Sequence, residues 1–73
     1  MTVFDLQRGD SATISRINLS GSALSRLNAL GINSGERIDV LSFSLFKSSV
    51  LISCAAVRVG IRRELAQKIE VRR

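Results

Sequence analysis

The sequence predicts a mainly β fold: a small barrel of about five strands with one short helix inserted. Three observations predict it. Apolar residues alternate with polar ones over several short runs, the period of a half-buried strand. One segment, Leu24 to Gly35, breaks that alternation with a helical spacing closed by glycine. The whole is 73 residues with 45% hydrophobic side chains and no proline, enough for one core and one domain spanning 1–73. Short strands in a chain of this size close into an SH3-like or an OB-like barrel.

Arg8-Gly9-Asp10 signals a turn after Leu6. Ala12 and Ile14 then alternate with Ser11, Thr13 and Ser15 as a first strand. Apolar parity flips afterwards to Ile17 and Leu19. A one-residue flip inside a strand predicts a β-bulge near Ser15-Arg16.

Asn18 to Ser22 reads as a loop in which Ser20 or Ser22 caps the following helix. Ala23, Leu27 and Leu30 share one helical face, with Leu24 beside it. Gly31 stands where a left-handed residue ends a helix, and Ile32 follows as the apolar anchor that folds back on the last turn. Gly35 makes a second turn at positive φ.

Arg37 to Phe46 is expected as one long strand, paired with Ser49 to Ala56 across Lys47-Ser48. Val57, Val59 and Ile61 continue on one face, with Arg58 and Arg62 on the other. Arg63 to Lys68 suggests a single helical turn around Leu65 and Ala66. Ile69 and Val71 form a last short strand.

The hairpin carries too much apolar surface for one face. Ile38 and Val40 have one parity, while Leu41, Phe43 and Leu45 have the other. A hairpin apolar on both sides aggregates unless something covers it. The sequence offers two covers: a partner or second copy docked there, or the helical region packed over one face.

The chain carries a formal net charge of +5 and a pI near 11.2. Nine of its eleven basic residues are arginine, and Arg58, Arg62, Arg63, Lys68, Arg72 and Arg73 cluster near its end. Such a surface suits an acidic protein face, anionic lipid or nucleic acid. Nucleic acid is the weaker fit. Readers of single strands stack bases on exposed aromatic rings; this chain has three phenylalanines and no Tyr or Trp, and Phe43 and Phe46 sit in the apolar hairpin without basic interleaving.

Catalytic raw material is scarce. There is no histidine to serve as a general base. Cys54 lies in an apolar alternating strand, where a thiol is expected to be inert core. Gly31 and Gly35 lack the Lys-Ser/Thr that completes a phosphate loop. Asp5 with Asp10, and Glu36 with Asp39, read as turn and surface charge. No residue set calls for a metal or other cofactor. Met1 to Asp5 lacks a basic and apolar leader, and no apolar run reaches the roughly 20 residues of a membrane span. With one cysteine and no internal disulfide, a reducing, cytoplasmic setting is expected.

The pattern Leu6, Gly9, Ile14, Leu24-x-Arg26-Leu27-x-x-Leu30-Gly31-Ile32-x-x-Gly35, Val40, Ile52, Val59-Gly60-Ile61-Arg62, Ala66, Ile69-x-Val71 resembles the FeoA family of bacterial ferrous iron transport accessory proteins. The resemblance spans nearly the whole chain. It implies an SH3-like barrel with a short inserted helix, similar to the C-terminal regulatory domain of metal-dependent repressors. It also implies a cytoplasmic, regulatory role on the membrane transporter FeoB, whose cytosolic part binds guanine nucleotide. Two features depart from the family. The hairpin turn is Phe46-Lys47-Ser48-Ser49-Val50 rather than a Gly-Asp-Pro-like turn, and Ala56 stands where a glycine often precedes the penultimate strand.

Two surfaces are expected to carry partner binding. One is the hairpin, with Leu41, Phe43, Leu45 and Phe46 as apolar anchors. The other is Arg26 at the edge of the helical face, whose stem can pack while its guanidinium reaches an acidic group. Pairing of hairpins between copies, giving a homo-oligomer, and a small basic RNA-binding barrel are the alternatives.

Overall fold

The computed structural model describes residues 1–73. Five antiparallel strands follow one another as β1 (Ser11–Ile17), β2 (Arg37–Phe43), β3 (Ser49–Cys54), β4 (Val57–Arg62) and β5 (Ile69–Arg72). Helix α1 (Gly21–Ala29) joins β1 to β2, and the single turn α2 (Arg63–Ala66) joins β4 to β5. The sheet order is β4-β3-β2-β1-β5. The mainly β, SH3-like class is therefore as expected, with one correction. No ladder pairs β4 with β5, so the sheet is open rather than a closed barrel. The turn α2 occupies the passage between the two edges.

The first strand bends where the parity flip places it. Its pairing with β5 shifts register between Ile14 and Arg16, leaving Ser15 as the bulged residue. On its other side, Ile14 accepts from the Gly35 amide (2.7 Å) and donates to the Glu36 carbonyl (2.8 Å). Gly35 holds φ +92°, which turns the chain from the helix into β2.

Helix α1 stops at Leu30. The Gly31 amide donates to the Asn28 carbonyl and the Ile32 amide to the Leu27 carbonyl, both at 3.0 Å. With Gly31 at φ +89°, this is a Schellman end, and Ile32 is fully buried behind it. Two details of the helix differ from expectation. Ser20 occupies the N-cap, but its side chain makes no capping bond. Leu30 is 41% exposed, so Leu27 alone carries the deep packing of that face.

The β2–β3 connection differs most. The expected ten-residue strand ends at Phe43, and a 3-10 turn over Leu45–Lys47 follows. Register also shifts between Val40 and Ser42, making Leu41 a bulge. Before the bulge, Ile38 and Val40 point into the core. After it, Phe43 does, opposite buried Val50. The double-sided apolar pattern is thus partly the signature of a mid-strand bulge. The chain between β3 and β4 also turns where continuity was expected. Ala55 (φ 52°) and Ala56 (φ 65°) form a two-residue hairpin closed by the Cys54–Val57 pair.

The core gathers Val3, Leu6, Ile14, Leu27, Ile32, Ile38, Val40, Val50, Ile52, Cys54, Ile61, Ala66, Ile69 and Val71 among its members, all 5% exposed or less. No polar side chain is buried. The first residues join this core, which the strand pattern did not anticipate. A 3-10 turn over Val3–Asp5 buries Val3, and the Thr2 amide donates to the Asp5 carboxylate (2.8 Å). The local sign was Thr2-x-x-Asp5, a capping arrangement of the Ser/Thr-x-x-acid kind.

Candidate functional site

The connection between β2 and β3 forms a tip built by short polar residues. At the strand end the Ser44 amide donates to the Ser49 carbonyl (3.0 Å). The Ser49 amide also donates to Ser44 Oγ (2.9 Å), and the Ser44 and Ser48 hydroxyls share a bond of 2.9 Å. Lys47 closes the turn by donating its amide to the Ser44 carbonyl (2.8 Å). The backbone passes through φ 62° at Phe46 and 54° at Lys47. Each left-handed non-glycine residue costs about 1–2 kcal/mol.

Arg63, the first residue of α2, offsets that cost. Its Nε donates to the Lys47 carbonyl and its Nη2 to the Phe46 carbonyl, each at 3.1 Å. The guanidinium lies 5.0 Å over the Phe4 ring. Phe4 meets Phe43 edge-on at 5.5 Å between centroids, and Lys47 Nζ lies 5.0 Å over Phe43. This chain of contacts ties the tip to the first turn of the protein and to α2.

The tip leaves two large apolar side chains in solvent. Leu45 is 80% exposed and Phe46 87% exposed. Phe43 is half-buried against the core and Phe4, so it is a packing residue of the tip's base rather than a free anchor. Leu41, half-buried at the bulge, lies farther along β2. Arg26 is exposed in the last turn of α1 and makes no hydrogen bond or ion pair, on a different element from the tip. The expected set thus divides in three: Leu45 and Phe46 together at the tip, Phe43 and Leu41 beneath it, and Arg26 apart.

No cavity is present, and no three His, Cys, Asp or Glu side chains converge as metal ligands. Cys54 is buried, with its thiol 3.5 Å from the Gly31 carbonyl. Burial pushes the thiol's pKa up, and the negative charge of Glu36 adds to the rise. No helix is long and apolar enough to cross a membrane. Of the basic side chains, only Arg73 forms an ion pair, with Asp10 at 2.7 Å. The others project a positive field.

The sequence model of the FeoA domain matches residues 1–73. The chain belongs to the FeoA family. Among solved structures, it is similar to iron(II) transport protein A of Clostridium thermocellum, at 25% identity over 97% of this chain and a TM-score of 0.92. It is similar to a FeoA protein of Chlorobium tepidum at 27% identity, 97% coverage and a TM-score of 0.91. An iron uptake regulatory protein (FeoA) shares 28% identity over 97% of this chain with a TM-score of 0.83. The chain spans 44%, 68% and 92% of the lengths of these three. A manganese-dependent transcriptional repressor shares the fold at a TM-score of 0.87 and 23% identity, this chain spanning 35% of it. No curated protein matches the chain. FeoA domains are small accessory domains, and the family places this chain in the context of ferrous iron transport.

Proposed function

We propose that this FeoA domain is a non-catalytic, cytosolic docking module of ferrous iron uptake that binds the cytosolic GTP-binding region of a FeoB-type transporter. One observation carries the surface: Leu45 and Phe46 stand in solvent on a turn whose left-handed backbone Arg63 clamps from behind. Strained backbone held by its surroundings concentrates where function needs a fixed shape. Two preset apolar side chains lose little order on binding, and burying each gives about 1.5–3 kcal/mol. Arg26, free of any internal partner, supplies a second contact to an acidic group.

The test is co-purification of the chain with the soluble cytosolic region of the transporter. The Leu45→Ser/Phe46→Ser double variant is expected to keep its thermal transition and to lose association by about tenfold or more. Association unchanged in that variant overturns the tip as the docking surface. A concentration-dependent mass that vanishes in the same variant assigns the tip to self-pairing instead.

A further inference from the structure

The two edges of the sheet are not equivalent. At β5, the Val71 amide donates to the Met1 carbonyl (2.9 Å) and Thr2 bridges to Glu70, so the first residues cover that edge. At β4 nothing does. The Arg63 amide donates to the Ser48 carbonyl (2.9 Å), which continues the β3–β4 ladder and fixes its parity. Val57, Val59 and Ile61 therefore direct their amides and carbonyls toward β3, while Arg58, Gly60 and Arg62 direct theirs outward. The amides and carbonyls of Arg58 and Gly60 and the amide of Arg62 meet no other strand, while the Arg62 carbonyl, at the N-cap of α2, serves that turn. Gly60 places no side chain on the face between Arg58 and Arg62, and a Cβ there would meet nothing within 4 Å, so that stretch of the face is open.

The side chains choose the occupant. Arg58 and Arg62 are exposed on one face of β4, about 13 Å apart along the strand, and neither has an ion-pair partner. A second copy added antiparallel about Gly60 would set Arg58 opposite Arg62 twice over, and like charges directly opposite destabilise a sheet. An acidic strand meets the opposite outcome. On the other face, Val57 is 43% exposed and Val59 half-buried, leaving apolar surface beside the edge.

We infer that the β4 edge accepts an extended acidic segment of another protein as a sixth strand. That segment carries carboxylates four residues apart, opposite Arg58 and Arg62, a small residue opposite Gly60, and apolar residues between them. Main-chain bonds to Arg58, Gly60 and Arg62 give the affinity, and the two guanidiniums give the selection. This inference is independent of the tip and of the transporter.

The probe is a capped seven-residue peptide with glutamates at its second and sixth positions, serine at its fourth and valines at its third and fifth. Titrated into isotopically labelled protein, it is expected to shift the amides of Arg58, Gly60 and Arg62 and leave α1 unmoved. The same peptide N-methylated at its second, fourth and sixth amides keeps the charge and is expected to lose binding. The Arg58→Glu/Arg62→Glu variant is expected to bind the peptide about tenfold more weakly and to prefer the same peptide with lysines in place of its two glutamates. Equal binding by the methylated peptide reduces the effect to charge alone and overturns the inference. So does a Gly60 shift that follows protein concentration without peptide, which makes the occupant a second copy.

Discussion

Arg63 Nη2 donates to the carbonyl of Phe46 across 17 residues of sequence, at 3.1 Å, while Phe46 itself holds φ 62°. A guanidinium with two carbonyls in its fork and a ring beneath it is what keeps the tip in one shape. Arg63→Ala is expected to lower stability by about 1–2 kcal/mol in urea unfolding. It should also raise amide exchange across 45–48 more than in the core strands. Exchange unchanged at the tip counts against the clamp.

Phe43 and Phe46 are three residues apart and should behave oppositely. Phe46→Ser removes a solvent-exposed ring and is expected to change stability by less than about 0.5 kcal/mol. Phe43→Ser removes the ring that packs on Phe4 and the core and is expected to cost about 2–4 kcal/mol. Thermal melts of the two variants check the contrast.

Gly31 is constrained twice. Its φ is +89°, and a Cβ there would sit 3.2 Å from the Ala55 Cβ. Gly31→Ala is expected to destabilise by about 1–3 kcal/mol, from backbone strain and crowding together. Ala55→Gly in the same chain should recover the crowding part and leave the strain. A double-mutant cycle with no coupling between the two positions would show the contact to be idle.

The β3–β4 hairpin places two alanines in left-handed conformation. Ala56→Gly is expected to stabilise by about 0.5–1 kcal/mol, since strain removed exceeds the flexibility added to the unfolded chain. In a domain of this size that raises Tm by about 2–8 °C.

Cys54 sets an alkaline limit. Its thiol is held above its ordinary value of 9.0 by burial and by Glu36, so the folded chain keeps the proton longer than the unfolded one. Stability from this group is complete below pH 9 and declines as pH rises beyond it, because only the unfolded chain ionises readily. Unfolding midpoints are expected to fall above pH 9, with a smaller fall in Cys54→Ala. A thiol reagent should label Cys54 only on unfolding.

The bulge at Ser15, the Schellman end at Gly31-Ile32 and the turn α2 were legible because each is a local rule with a local sign. The opposite case is Leu41. Its bulge was visible only as apolar residues of both parities, which a docking face would explain equally well, and only cross-strand register separates the two. Ala55-Ala56 carried no turn sign, since neither residue favours positive φ, and pairing of Cys54 with Val57 imposes the hairpin. Arg63 was readable as a charge but not as a clamp, because the turn was expected only at Lys47-Ser48, with Phe46 still in the strand, and nothing local in the sequence links that turn to a residue 16 positions on. Leu45 and Phe46 were named as anchors from apolarity, and their separation from Phe43 came from where β2 ends.

The strap of Met1 and Thr2 along β5 has a consequence for higher-order assembly. Fibrous growth by strand exchange needs every subunit to be receptive on both flanks. Here one flank is sealed from within, so copies of this chain cannot propagate through it into a fibre, and recruitment is confined to the opposite flank.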